Sequence, residues 1–164
     1  MKKKSIFVVD SNKDFVAQMG KLISTQEDMY LIGTANNGKD ALVQIKSIKN
    51  IDVIITELVM PVMDGFALLN ELRNYYFDKA TKPYIIVNSG LYNQNIINMV
   101  TSLGANQFLL KPYESNTLIQ NIKLANGKVN TPCKVTINLE KQITDILHDV
   151  GIPEIGRASC RERV

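Results

Sequence analysis

Four short polar stretches, each at or just after the end of an apolar run, carry the residues of this sequence that could do chemistry. They are Asp10-Ser11, Glu57, Asn88-Ser89 and Lys111. Carboxylates are ligands for hard cations, and a lysine supplies a compact positive charge for an anion. A site for a divalent cation and an anionic group is therefore the chemistry to consider, provided that the fold brings the four stretches together.

The runs between these stretches alternate between strand-like and helix-like patterns. Apolar residues recur at helical spacing after each of five short strand-like runs. The runs are 5–10, 29–34, 52–57, 84–88 and 107–110. Five strands that alternate with five helices predict an α/β fold with a parallel sheet and helices on both faces. In such folds the chemistry collects at the carboxyl ends of the strands, which is where the four polar stretches fall.

Composition excludes several classes of protein. The chain has 164 residues, 45% hydrophobic and 21% charged, which is ordinary for one globular domain or a domain with a fragment. No apolar run approaches the roughly 18 residues of a membrane span, and the run after Lys4 is too short for a signal peptide. Cys133 and Cys160 make no disulfide framework. We therefore expect a cytoplasmic protein that does not contact the membrane.

The chain is predicted to contain four segments. Residues 1–126 form the α/β domain, and residues 127–138 form a polar linker. Residues 139–154 show one amphipathic pattern, which cannot bury its apolar face alone, so we expect a fragment of a further domain. Residues 155–164, read back into codons, resemble a sequencing adapter, and we expect this tail to be non-native. Because the tail carries +2 of the net charge of +3, the main body shows no basic excess for nucleic acid.

The polar stretches resemble a known family in order and context. The run from Asp52 to Gly65 (DVIITELVMPVMDG) resembles the phosphoacceptor strand and following loop of the receiver domains of two-component response regulators. Lys111-Pro112 is similar to the Lys-Pro pair after strand five of that family, where the peptide bond is usually cis. The resemblance covers about residues 4–126 and implies the flavodoxin-like (βα)5 receiver fold.

The resemblance also implies roles for single residues. In the family, two acids after strand one and an aspartate after strand three hold Mg²⁺, helped by a backbone carbonyl at the position of Val59, and the aspartate accepts the phosphoryl group. Asp10 matches one of the two acids, and Glu57 stands at the acceptor position. The other matching positions are the phosphoryl-binding Ser89 and Lys111 and the aromatic switch Phe108.

Two positions depart from the family pattern. Ser11 replaces the second acid, and Glu57 replaces the acceptor aspartate. Mg²⁺ gives up water reluctantly, so a cradle of two carboxylates is expected to bind it weakly. The longer side chain moves the carboxylate by roughly 1.5 Å, and about 1 Å of misplacement can lower a rate on the order of a hundredfold. The same extension could bring Glu57 within reach of Lys111 and Ser89, where it would partially imitate a phosphorylated acceptor.

A second, shorter resemblance concerns the C-terminal part. The run from Leu139 to Pro153 resembles the opening helix of the DNA-binding domain of the stage 0 sporulation protein A family. It implies a regulator of transcription, related to sporulation and truncated before the domain that would contact DNA. The resemblance to receiver domains implies a histidine kinase or phosphotransferase as a partner, and a homodimer through helix four, strand five and helix five, predicted at 93–102, 107–110 and 115–125.

We therefore expect an atypical receiver domain that is not an enzyme, acts by protein contact and is phosphorylated weakly or not at all at Glu57. The alternative is a conventional phosphorelay receiver that carries an Asp-to-Glu phosphomimetic change, against which Ser11 argues. A cofactor-binding domain is disfavoured because no glycine-rich phosphate loop follows strand one. A hydrolase is disfavoured because the one histidine, His148, lies far from the other polar stretches.

Overall fold

The computed structural model of the chain describes residues 2–125 and 133–138. In these residues strands and helices alternate from the first element to the last. The strands are β1 (Lys4–Val9), β2 (Met29–Ala35), β3 (Val53–Thr56), β4 (Tyr84–Ser89), β5 (Gln107–Leu110) and β6 (Lys134–Ile137). The helices are α1 (Lys13–Ser24), α2 (Gly38–Ser47), α3 (Gly65–Tyr75), α4 (Gln94–Ser102) and α5 (Ser115–Leu124). None of these helices combines the length and the apolar character that a membrane span requires.

The strands form one parallel sheet in the order β2-β1-β3-β4-β5-β6. The predicted α/β fold, with a parallel sheet between two layers of helices, is thereby confirmed. The predicted number of five strands is wrong, because β6 adds a sixth beside β5. This strand is only four residues long and lies in a polar context, so the hydrophobic pattern of the sequence did not reveal it.

Each face of the sheet has its own hydrophobic core. Alternate residues of a strand point to opposite faces, so a strand that is apolar throughout contributes to both cores. On one face α1 and α5 contribute residues such as Ile23 and Leu118. On the other face α2, α3 and α4 contribute residues such as Ile45, Leu69 and Val100. The sheet is thus fixed from both sides, which holds the carboxyl ends of its strands in place.

Four helices begin at a capping side chain. The carboxamide oxygen of Asn12 accepts hydrogen bonds from the backbone N–H groups of Asp14 and Phe15, at 3.0 and 3.1 Å. The side chains of Asn37, Asp64 and Asn93 cap α2, α3 and α4 in the same way. A side-chain oxygen at this position satisfies a backbone donor that has no partner within its helix.

Of the segments predicted after residue 126, the structure describes only residues 133–138. Within the segment predicted as a linker, 127–138, residues 134–137 form β6. These residues form a strand because the backbone groups along the outer edge of β5 offer them hydrogen-bond partners. The predicted helix fragment at 139–154 and the predicted non-native tail at 155–164 lie outside the described residues.

Candidate functional site

The parallel register brings the predicted site residues to one edge of the sheet. Val9 pairs with Thr56, and Thr56 pairs with Val87. The next residues along the chain are Asp10, Glu57 and Asn88. They therefore lie side by side at the carboxyl end of the sheet. Three residues that are up to 78 positions apart in the sequence come together because the strands run in the same direction.

The ammonium group of Lys111 is the centre of this cluster. Its Nζ atom lies 2.7 Å from Oε2 of Glu57 and 2.9 Å from Oδ2 of Asp10, and it donates a hydrogen bond to each. Both contacts are ion pairs as well. The predicted approach of Glu57 to Lys111 is therefore observed. The second contact, with Asp10, was not predicted, since Asp10 was expected to serve a metal.

Backbone N–H groups hold the two remaining carboxylate oxygens. Oδ1 of Asp10 accepts a hydrogen bond from the backbone N–H of Asn12 at 2.9 Å. Oε1 of Glu57 accepts one from Leu58 at 2.6 Å and a longer one from Val59 at 3.4 Å. Each of the four carboxylate oxygens thus has a donor within the protein. Such charge-assisted hydrogen bonds keep both side chains in one orientation.

The cluster is shielded from water. Asp10 is 2% exposed and Glu57 is 8% exposed, whereas the side chain of Lys111 is 27% exposed. Lys111 Nζ also lies 4.6 Å from the centre of the Phe15 ring, within the range of a cation–π contact. Phe15 belongs to the first turn of α1, which therefore borders the site.

The pKa of Lys111 shows which influence prevails. Burial by itself lowers the pKa of this side chain, but the hydrogen bonds to Glu57 and Asp10 and their negative charges together outweigh burial, and the pKa lies above its usual value. Tyr113 responds to the same carboxylates: burial, and then the charges of Asp10 and Glu57, raise the pKa of its phenol. Lys111 is therefore charged and Tyr113 is neutral at physiological pH.

The donor set fits a Mg²⁺ ion poorly. The described residues contain no group of three or more His, Cys, Asp or Glu side chains that could hold a metal ion. Ser11, where the family has the second acid, is exposed and supplies no carboxylate. A divalent cation would also have to displace the Lys111 ammonium from both carboxylates.

The predicted phosphoryl-binding serine does not join the cluster. Ser89 is fully buried, and its Oγ accepts a hydrogen bond from the backbone N–H of Leu91 at 3.3 Å. Among the described residues no hydrogen bond joins Ser89 to Glu57, so the expected contact is not observed; the hydroxyl is bonded to the loop after β4. The backbone carbonyl of Ser89 accepts a hydrogen bond from the N–H of Lys111 at 2.9 Å. The next peptide bond, Lys111-Pro112, is cis, as the resemblance implied.

The predicted aromatic switch, Phe108, is fully buried. Its ring centre lies 6.4 Å from that of Tyr92, in a tilted arrangement, and Tyr92 is about half exposed. Tyr92 belongs to the loop that precedes α4. Phe108 of β5 therefore contacts the loop that leads into α4. A movement of that loop would change the packing of the ring.

The loop between β3 and α3 is packed tightly against the acceptor position. The backbone N–H of Gly65 donates to the carbonyl of Leu58 at 2.8 Å. A Cβ atom at position 65 would lie 2.7 Å from the Cα of Leu58 and still closer to the carbonyl oxygen of Glu57. Only glycine fits there, which gives a physical reason for the Asp-Gly pair of the sequence motif. Within the loop, Val62 adopts a positive φ of 69°.

Two neighbours of the site were not predicted from the sequence. Phe15 was missed because it looks like an ordinary residue on the apolar face of α1, and Tyr113 because it lies between β5 and α5, outside any periodic pattern. Asn88 was placed at the edge but given no role, and it is fully buried. In the described part of the chain neither atom of its carboxamide has a hydrogen-bond partner. In the sequence, its role is indicated only by its position as a polar residue after the apolar part of β4.

Comparison with known proteins identifies the class. The family model for the response regulator receiver domain matches residues 6–123. Because the match spans most of the chain, the chain belongs to the response regulator receiver domain family. The predicted resemblance to this family is confirmed.

Solved structures agree with this assignment. A chain of the CheX-CheY-BeF3-Mg+2 complex from Borrelia burgdorferi is 26% identical, with a TM-score of 0.67; the match covers 75% of this chain and 89% of that one. The response regulator domain of CheB from Thermotoga maritima is 25% identical, with a TM-score of 0.65, and the match covers 76% and 96%. The receiver domain of the Francisella response regulator 1452 is similar in fold, at 24% identity, a TM-score of 0.66, and coverages of 75% and 96%.

Proposed function

We propose that this chain is an atypical receiver domain that acts by protein contact and is phosphorylated weakly or not at all at Glu57. One observation carries the proposal: Lys111 Nζ bonds to both Asp10 and Glu57, at 2.9 and 2.7 Å. In this geometry the lysine neutralises the two carboxylates that a metal would need. The site is therefore closed by an internal ion pair.

The position of Glu57 argues against acceptance of a phosphoryl group. Its Oε2 atom is bonded to Lys111 and its Oε1 atom to the backbone N–H of Leu58. An attacking oxygen must instead point toward a donor held in line by a cation. The glutamate thus occupies the place of a reacted acceptor, with a single negative charge where a phosphoryl group would carry about two.

A phosphorylation assay read by intact-mass spectrometry tests the proposal. The chain is incubated with a small-molecule phosphodonor and Mg²⁺, and the intact mass is measured. We expect no phosphoryl adduct on the chain as it is, and an adduct on the double variant Ser11→Asp/Glu57→Asp, which regains three carboxylates. The variant Ser11→Asp/Glu57→Asn is the matched control, because it has the second acid but no nucleophile. Stoichiometric phosphorylation of Glu57 would contradict the proposal.

A conventional receiver with one altered residue is the second candidate. The buried Phe108 and the retained Lys111 favour it. Under this alternative, Glu57→Asp alone restores full Mg²⁺ binding and phosphorylation. Under our proposal the single variant stays weak, because Ser11 still leaves the metal one carboxylate short. A comparison of the single and double variants in one Mg²⁺ titration separates the two candidates.

The finer assignments are part of the same proposal. We propose that the chain is the regulatory part of a cytoplasmic transcription regulator related to the stage 0 sporulation protein A family, on the strength of residues 139–153. Its partners would be a histidine kinase or phosphotransferase and a second copy of the chain. The second copy would pair through α4, β5 and α5, and DNA would be contacted only by a domain that follows. Sequencing the full gene tests the assignment to this family.

A further inference from the structure

The sixth strand occupies the outer edge of β5. Residues 134–137 pair in parallel with residues 107–110, so that Lys134 lies beside Gln107 and Ile137 beside Leu110. The backbone N–H of Lys134 donates to the carbonyl of Asn106 at 3.0 Å. Without β6, β5 would present an unpaired edge, and such edges readily pair with another chain.

On one side, β6 contacts α5 through a side chain of β5. The Gln107 carboxamide donates to the hydroxyl of Thr136 at 3.3 Å and also hydrogen-bonds to the side chain of Asn121 in α5. Gln107 is buried beneath these contacts, at 3% exposure. The strand and the helix are thus joined by one polar network.

On the other side, β6 packs toward α4. Cys133 and Ile137 contact the core cluster that includes Ile97 and Val100 of α4. Burial raises the pKa of the Cys133 thiol, and a hydrogen bond with Thr101 of α4 opposes this shift. The segment therefore sits between α4 and α5, over the middle of the surface they form with β5.

The surface beneath β6 suits a second copy of the same chain. Two identical surfaces that meet about a two-fold axis place like charges near one another, so a surface with few charges favours such pairing. The α4 helix contains no charged residue, β5 contains none, and α5 contains one, Lys123. Even with β6 in place, both helices expose large apolar side chains: Met99 is 50% exposed and Leu124 is 69% exposed.

We propose that β6 is an intramolecular occupant of the α4–β5–α5 surface, and that its docking excludes a second copy of the chain from that surface. The inference rests on the dimer surface in the proposed function. It adds that β6 controls whether a second copy of the chain can reach that surface. Release of β6 would uncover the edge of β5 and the facing sides of both helices together. The strand is suited to release, because it is short and Lys134 and Val135 are exposed.

Proline variants of the full chain test the proposal. In a parallel pair, alternate residues of a strand direct their N–H groups to the same neighbour. Lys134→Pro removes the hydrogen bond to Asn106, whereas Val135→Pro alters an N–H that points away from β5. Sedimentation over a range of concentrations should show an at least tenfold lower dimer dissociation constant for Lys134→Pro. The matched control Val135→Pro should sediment like the unchanged chain.

A second variant and a second readout guard against misfolding. Ile137→Asp places a charge where Ile137 contacts the core. It should release β6 while leaving every backbone N–H of the strand in place. In a Cys160→Ser background, a thiol reagent then reports only Cys133. Its reaction should be at least tenfold faster in Lys134→Pro and Ile137→Asp than in the parent, with circular dichroism unchanged.

The possible outcomes separate this inference from the proposed dimer surface. Faster thiol reaction together with dimer formation supports the proposal. If the parent is already a dimer through α4 and α5 while Cys133 stays protected, the dimer surface is right and exclusion by β6 is wrong. If Cys133 becomes reactive and every variant stays a monomer, the dimer surface and the proposal both fail, whereas the absence of phosphorylation at Glu57 is unaffected.

Discussion

Lys111 Nζ and Glu57 Oε2 lie 2.7 Å apart, although the two residues are 54 positions apart in the sequence. The pair joins the end of β3 to the end of β5 across β4, which lies between them in the sheet. The same ammonium group reaches Asp10 at the end of β1. One lysine thus ties together three strand ends at the edge where a receiver domain carries its chemistry.

Removal of this lysine should destabilise the fold. Lys111→Met leaves the carboxylates of Asp10 and Glu57 buried without their cation, and we expect the free energy of unfolding to fall by about 3 kcal/mol. Urea denaturation followed by circular dichroism measures the change. Lys123→Met is the control, because Lys123 is 46% exposed, lies 3.9 Å from Asp28 and should contribute less than about 1 kcal/mol. Equal effects of the two substitutions would argue against a stabilising role of the buried cluster.

The contribution of Lys111 should depend on pH in the alkaline range. Its pKa in the folded protein is raised above the usual value of 10.5. The stabilisation is therefore complete at pH values below 10.5 and is lost as the pH rises through the higher folded value. The difference in unfolding free energy between the unchanged chain and Lys111→Met should stay constant up to about pH 9 and shrink above the usual lysine pKa. A difference that grew with rising pH would have the wrong sign for this ion pair.

The glycine after the β3–α3 loop should not tolerate a side chain. In Gly65→Ala the new Cβ meets the backbone of Glu57 and Leu58, and we expect a loss of about 2 kcal/mol in unfolding free energy. Gly90→Ala is the matched control, since a Cβ at that position has nothing within 4 Å. Thermal denaturation compares the two variants. A Gly65→Ala protein as stable as Gly90→Ala would show that the loop can move away from the acceptor position.

The buried carboxamide of Asn88 should be replaceable by an apolar side chain of similar shape. Neither of its polar atoms has a hydrogen-bond partner in the described part of the chain, so Asn88→Leu should raise the unfolding free energy by about 1 kcal/mol. Asn98→Leu, on the exposed side of α4, controls for the general effect of the exchange. Denaturant unfolding is the measurement. A marked loss of stability in Asn88→Leu would mean that this amide has a bound partner in solution.

Much of the site could be predicted from the sequence because its residues come at the ends of strands. The runs that precede Asp10, Glu57 and Lys111 are short and mostly apolar, and the parallel fold that they indicate places their carboxyl ends together. The departures at Ser11 and Glu57 could also be recognised without coordinates, since the surrounding motif sets the register.

The number of strands and the partners of the site residues could not be predicted in the same way. The segment Lys134–Ile137 is only four residues long and lies in a polar stretch, and it forms a strand by pairing with the edge of β5. Ser89 was expected to reach Glu57, but its hydroxyl hydrogen-bonds to the nearby N–H of Leu91. A local partner of this kind depends on the loop conformation, which sequence periodicity does not describe.

The amino-acid sequence by itself determined the alternation of strands and helices, the family, and the chemical types at the edge of the sheet, because these follow from local patterns of side chains. Only the tertiary structure decided that Lys111 bonds to both Asp10 and Glu57, 101 and 54 positions away. It also decided that Phe15 borders their site. Contacts over such separations depend on strand order, register and the direction of each side chain, and these arise only when the sheet packs between its helices.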